Sequence, residues 1–210
     1  MMFILTLSII SFIDSLIHGS TNVINAFIKS YGYAAIFTLM AFESSSLPVP
    51  SEVVLPIAGL LAAKGTLSFW ISLVVAMLGS ILGSVADYAI GYYVGKDIVY
   101  KHLQLFHIKR QSLEDFDKWF ERNGLAAVFL TRLVPIVRTF INFPAGFAKM
   151  NFKEFIIYSI IGMLIWDVVL MAFGFYLLSA NNAVTVLAAI GVFAILLYLV
   201  YRFAMKRMKR

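Results

Sequence analysis

Two apolar stretches of this chain are interrupted by proline and carry charged residues at the interruption, and nothing else in the sequence restricts the fold as severely. Residues 22–63 hold Pro48, Pro50 and Pro56 beside Glu43 and Glu52, and residues 124–149 hold Pro135 and Pro144 beside Arg132 and Arg138. With 61% hydrophobic and only 13% charged residues in 210, the chain lies outside the globular range and reads as an integral membrane protein. In hydrocarbon every backbone group needs a partner within the protein, and proline removes a donor and breaks the helical ladder. A straight crossing is therefore disfavoured at both places. A helical hairpin that dips in and returns, its irregular tip buried against other helices, satisfies the backbone instead.

The two stretches are related. Gly32-Tyr33-Ala34-Ala35-Ile36-Phe37 in the first matches Gly124-Leu125-Ala126-Ala127-Val128-Phe129 in the second. Pro48 stands eleven residues before Gly59, as Pro135 does before Gly146, and Gly79 and Gly91 are spaced like Gly162 and Gly174. Each copy ends in an apolar segment, residues 67–94 and 152–178, longer than the roughly 20 residues that a crossing needs. A hairpin returns to its own side, so hairpin plus spanning helix makes an odd number of crossings, and the second copy must lie upside down relative to the first. The expected fold class is an all-α polytopic membrane protein: an inverted repeat with two re-entrant helical hairpins facing each other, plus spanning helices. Residues 1–210 would form a single transmembrane domain, with repeat one at about 22–95, an interfacial amphipathic connector at about 97–122, repeat two at about 124–178 and a C-terminal spanning helix at about 184–205.

Basic residues give the orientation. Lys96, Lys101, Lys109, Arg110, Lys118 and Arg122 lie in the connector, and Arg202, Lys206, Arg207, Lys209 and Arg210 follow the last apolar segment. The positive-inside rule assigns both to the cytoplasmic face of a plasma (inner) membrane. The net charge of +6 is thus juxtamembrane charge beside anionic lipid and implies no nucleic-acid partner. In the connector, Leu113, Phe116, Trp119 and Phe120 share a helix face away from Glu114, Asp117 and Glu121, the pattern of a helix lying along the interface. Residues 3–17 read as a short attached helix, since no basic leader or small-residue cleavage site marks them for removal.

A carboxylate at bilayer depth costs about 2.5–3.5 kcal/mol on insertion scales, so Glu43 and Glu52 around one hairpin tip need a partner or a function. Arg132 and Arg138 supply the partner if the hairpins meet from opposite faces. A buried pair is a weak stability device, whereas charges at a repeat interface mark substrate and ion paths. Arginine at both positions suits phosphate, because its planar fork donates two parallel hydrogen bonds and keeps its charge when desolvated. Helix ends opened by Pro48, Pro135 and Pro144 add backbone donors for the same anion. Glu43 and Glu52 are the candidates for proton exchange. Gly79, Gly83, Asp87, Gly91 and Gly95 follow one another at four-residue steps on one helix face, where another backbone can approach closely. Asp87 there, and Asp167 beside Trp166, are suited either to a hydrogen bond with a neighbouring helix or to proton relay. Ser44, Ser45 and Ser46 are suited to satisfying loosened backbone near the tip or to touching the ligand.

No catalytic constellation is visible. The chain has no cysteine, His18, His102 and His107 lack metal-ligand spacing, and there is neither a hydrolase motif nor a phosphate-binding glycine loop. The expectation is no enzyme, no metal and no cofactor.

The same residues carry a resemblance. Phe42-Glu43, Pro48-Val49-Pro50-Ser51-Glu52 and Pro56-Ile57-Ala58-Gly59 come first, then Gly79, Gly83, Tyr88, Gly91 and Gly95. Most specific are Phe129, Arg132, Pro135, Arg138 and Thr139, followed by Pro144-Ala145-Gly146, Met150, Phe155, Gly162 and Trp166. Over about Tyr31 to Trp166 the chain resembles the DedA family, also called the VTT or SNARE-associated membrane protein superfamily. One departure is Ser84, where many relatives have Asp after the second glycine of the helix stripe. The resemblance implies facing re-entrant hairpins and movement of lipids between leaflets: undecaprenyl phosphate or phosphatidylethanolamine in bacterial relatives, scrambling in eukaryotic ones. It also implies that Glu43, Glu52, Arg132 and Arg138 match the family's functional acids and arginines.

The expected function is a flippase for an anionic lipid headgroup, most simply undecaprenyl or another polyprenyl phosphate, coupled to protons. Two arginines match a phosphate monoester better than a zwitterion. Its partners would be membrane lipids and protons, with a homo-oligomer left open. The rivals are a phosphatidylethanolamine flippase or phospholipid scramblase, a proton-coupled exporter of small cations, a membrane-embedded lipid phosphatase, and a scaffold that transports nothing.

Overall fold

The computed structural model describes residues 21–47, 49–95, 110–134 and 137–176, which are helical apart from short connections. Residues 3–17, the segment at about 184–205, Pro48, Pro135 and the three histidines lie outside the described residues, as do the side chains of Leu113 and Phe116. Helix α1 (residues 21–31) runs to Gly32, whose φ of 57° suits glycine far better than a residue bearing Cβ. Beyond it come α2 (Tyr33–Ser44) and α3 (Ser51–Ala63), with the proline break between them. α4 (Phe69–Ile90) continues into a π-helical turn, Gly91–Gly95. The second copy contains α5 (Arg110–Thr131), the short α6 (Val137–Phe140) and α7 (Asn142–Phe147), and α8 (Phe152–Tyr176).

At 22 and 25 residues, α4 and α8 are about 33 and 38 Å long, enough to cross a hydrocarbon core of roughly 30 Å. α2 and α3, at 12 and 13 residues, are each too short to cross alone. The long helices are apolar on the outside and polar within. On α4 the exposed face is Trp70, Ile71, Val74, Leu78 and Leu82, while Ser72, Gly79, Ser80, Gly83, Ser84 and Asp87 are buried. α8 likewise exposes Ile157, Ile161, Leu164 and Ile165 and buries Ser159, Gly162 and Asp167. Water would penalise that arrangement, whereas lipid favours it, because small residues inside allow close backbone contact and polar ones find partners only there.

The amphipathic connector and the apolar residues after Gly124 lie on one helix: α5 runs unbroken from Arg110 to Thr131 through Gly124. A lone glycine costs a helix only about 1 kcal/mol, and no proline stands there to enforce a stop. Trp119 is exposed and Phe120 buried, so the connector's apolar residues divide between two environments.

Glycine seams join the two copies residue for residue. A Cβ on Gly59 would meet the Met171 carbonyl and Phe175 amide of α8, and one on Gly146 would meet the Tyr88 carbonyl and Tyr92 amide at the end of α4. In return, Gly174 abuts the Pro56 carbonyl as Gly91 abuts that of Phe143. Within the copies, Gly79 faces the Phe37 carbonyl and Gly162 that of Phe129. Each short α3 or α7 limb thus rests on the long helix of the other copy. Two apolar clusters surround these seams, one around Ile36, Met40, Leu55, Trp166 and Met171, the other around Tyr88, Val128, Ile141 and Phe155.

Gly174→Val would drive a side chain into the Pro56 backbone. It should cost at least about 1–3 kcal/mol, the usual range for overpacking, whereas Leu82→Val on the exposed face should leave stability unchanged. Unfolding followed by tryptophan fluorescence in detergent distinguishes the two.

Candidate functional site

Between α2 and α3 the chain leaves the helix at Ser45 and turns through Ser46, whose φ is 56°, before Pro50 leads into α3. Between α5 and α7 it does so at Arg132, and the two breaks meet. Glu43 stands in the last turn of α2, where the helix's exposed carbonyls disfavour an anion. Arg138 offsets this: its Nη2 is ion-paired with Glu43 Oε1 and donates to Ser51 Oγ as well. Its guanidinium also lies over the Trp166 ring, 5.0 Å from the centroid. Ser51 and Arg138 are 87 residues apart, the offset that relates Pro48 to Pro135 and Gly59 to Gly146, so equivalent positions of the two copies touch.

Among the described residues, Arg132 is held without a carboxylate. Nη1 donates to the Arg138 carbonyl at 3.0 Å, and Nη2 donates to Asn142 Oδ1 at 2.6 Å and Ser159 Oγ at 2.9 Å. Its guanidinium lies 5.9 Å from the centroid of Phe155. Asn142 then donates through Nδ2 to the Ser44 carbonyl at 2.9 Å, so one amide fastens the second break to the end of α2. Each arginine rests on an aromatic ring of a different apolar cluster, which leaves the polar network between two dry walls.

Of the expected residues, Arg132, Arg138 and Glu43 come together, all buried. Glu52 does not join them; it follows Ser51 in the first turn of α3 with an exposed side chain. Ser44 Oγ donates to Glu43 Oε2 at 3.0 Å. Ser45 Oγ donates back to the Ala41 carbonyl, a local backbone role, and Ser46 Oγ donates to Asp87 Oδ2 at 2.7 Å. Asp87 is thereby tied to the turn between α2 and α3. Asp167 is fully buried, and neither of its oxygens has a hydrogen-bond partner among the described residues. Pro56 lies inside α3, removing the donor that would serve the Glu52 carbonyl, and Pro144 lies within α7.

Ser51, Asn142, Ser159, Phe155 and Trp166 complete the network, and none was singled out for it by residue type. The offset between the copies was the available signal for Ser51. No comparable signal marks Asn142. A separate open cavity of about 480 Å³ is lined by Tyr88, Tyr92, Tyr93, Lys149 and Asn151 at the far end of α4. Among the described residues no cluster of His, Cys, Asp and Glu could hold a metal ion.

Residues 49–176 match the model of the VTT domain. That span includes both arginines, Asn142 and Asp167 but begins after Glu43. Undecaprenyl phosphate transporter A of Staphylococcus aureus is 34% identical over 157 residues, covering 73% of this chain and 77% of that protein. Protein DedA of Escherichia coli is 28% identical over 78% of each chain. An alkaline phosphatase-like protein of Lactococcus lactis is 30% identical over 70% of this chain and 71% of its own length. No solved structure matches.

Asn142→Ala would orphan donors of Arg132 and the carbonyl of Ser44. At about 1–3 kcal/mol for each buried group left unsatisfied, it should lower the unfolding midpoint in detergent while helix content stays unchanged. Asn123→Ala, at an exposed position of α5, should stay within about 0.5 kcal/mol of the parent.

Proposed function

The chain belongs to the VTT domain (DedA) family of membrane proteins, and on that premise we propose that it carries an anionic lipid headgroup, a polyprenyl phosphate, between leaflets of the inner membrane with protons as the coupled ion. The observation that carries the reading is the buried pair Arg132 and Arg138, set between two broken helices and two aromatic walls. Fork-shaped cations in a dry site recognise phosphate oxygens through paired hydrogen bonds, and the N-terminus of α3 at Ser51, which Arg138 touches, adds a positive dipole end. The transporter names of the Staphylococcus aureus and Bacillus subtilis relatives agree with this ligand. Since Arg138 is already paired with Glu43, the headgroup enters by displacing Glu43 from it. Glu43 then takes up a proton, and Glu52, exposed at the head of α3, exchanges protons with the water-facing side.

In this reading the chain is a single transmembrane domain with its C-terminus in the cytoplasm. The breaks are the tips of two re-entrant hairpins, and the copies are inserted in opposite senses. The short lengths of α2 and α3 and the reciprocal glycine seams support it.

Reconstituted in vesicles, the protein should exchange labelled polyprenyl phosphate between leaflets faster than phosphatidylethanolamine, and faster still with a pH difference. Arg138→Lys keeps the charge but loses the fork. The loss of one charge-assisted bond, roughly 1.5–3 kcal/mol, should slow exchange about ten- to a hundredfold. Glu43→Gln should remove much of the response to pH; unchanged, still pH-dependent exchange in both Glu43→Gln and Glu52→Gln would end the proton assignment. Because some relatives are named alkaline phosphatase-like, the same vesicles should be assayed for inorganic phosphate. Its release from the lipid would replace transport with hydrolysis.

A further inference from the structure

Among the described residues, five buried side chains are basic or carboxylic: Arg132 and Arg138 against Glu43, Asp87 and Asp167. Ionised together, they leave one negative charge in excess in a region closed to bulk solvent, and burial of an unpaired ionised carboxylate costs enough that the group neutralises instead. The hydrogen bonds show which acid that is. Glu43 has Arg138 and Ser44, and Asp87 has Ser46 with Asn142 close by. Asp167 has none, although it is the most deeply buried of the three.

Its surroundings give it a role. Asp167 follows Trp166, on whose ring the Arg138 guanidinium is stacked. The charged groups near enough to act on it through their fields are Arg138 from α6, Glu43 from α2 and Arg132 just beyond α5, and none of them is hydrogen-bonded to it. α4 brings Asp87, tied to Ser46, and Ser84 with its unpartnered hydroxyl, while Glu52 of α3 is exposed and outside the set. Arg132 Nε is likewise without an acceptor. Asp167 stands to Ser84 as Gly162 stands to Gly79 and Gly174 to Gly91, so the acid is present in one copy and absent from the other.

We propose that Asp167 holds a proton in this conformation, and that losing it turns Asp167 into an internal anion that competes with the lipid phosphate for Arg138 and Arg132. This rests on the reading of the arginines as the phosphate site. While Asp167 is neutral, the arginines are available once Glu43 is displaced. When it ionises, the cluster supplies its own second anion and the ligand is expelled. Proton binding and phosphate binding are then positively linked, each raising the affinity for the other by the same factor.

The test is the affinity of the purified full-length protein for farnesyl phosphate, a short polyprenyl phosphate, measured by calorimetry as pH is raised. Wild-type affinity should fall by up to tenfold per pH unit through the titration of Asp167. Asp167→Asn should keep its affinity, lose the part of the pH dependence that Asp167 supplies, and retain only the parts due to Glu43 and to the ligand's own ionisation. Identical pH profiles for the two would overturn the proposal and leave the phosphate site standing; absence of binding by wild type at any pH would overturn both. Infrared difference spectra of the wild type need no folded Asp167→Asn. They should show a protonated carboxylic C=O band that disappears at high pH and shifts in Asp167→Glu, and absence of such a band would also overturn the assignment.

Discussion

The ion pair between Arg138 and Glu43 is the contact on which the rest of this architecture depends. It joins residues far apart in sequence, on two helix breaks that would otherwise present loosened backbone to hydrocarbon. Removing either partner alone would leave a buried charge uncompensated, a change that costs far more than the pair itself contributes to stability. The neighbouring groups make the pair tolerable: Ser51 and Ser44 take up remaining hydrogen-bonding capacity, and Trp166 covers the guanidinium face. Among the described residues the second arginine is held by neutral acceptors alone, so the two arginines are held differently. That asymmetry gives the site a direction, with one cation neutralised and the other held by neutral acceptors.

Much of this was legible in the sequence because it depends on backbone. Proline and glycine act through the main chain, so the two breaks, the matched spacings and the long spanning helices could be read from Pro50, Gly59, Gly79, Gly146 and Gly162 without knowing any neighbour. The meeting of Arg138 with Glu43 followed from the expense of burying either alone. What could not be read depends on the direction of individual side chains. Glu43 and Glu52 have the same chemistry and lie on either side of one break, yet Glu43 falls on the buried face of α2 and Glu52 on the open side of α3. One residue of helical rotation decides between those fates, and the proline break hides the phase. Asn142 was overlooked because an amide has no charge to announce an unusual position. Gly124 marks the repeat without interrupting α5, since a marker in sequence need not be an interruption in space.

The transport proposal and the assignment of Asp167 draw on the same physical fact. A dry site cannot hold unmatched charge, so in the proposed cycle the lipid anion and the ionised carboxylates compete for two guanidinium groups, and protons set how many carboxylates are ionised. Helix termini, aromatic faces and neutral acceptors adjust that competition without altering the count.

The seams between the copies bear on how such a protein could move. Where Gly59 meets Met171, and Gly146 meets Tyr88, main chain touches main chain with no side chain in between. Interdigitated side chains would have to change rotamer together before one helix could shift past another. A seam of this kind has no such teeth, so small displacements along it meet a smooth energy profile. At those points backbone alone fixes how closely the helices approach, while the packed side chains around them, Leu55 and Met171 among them, limit how far the helices can shift.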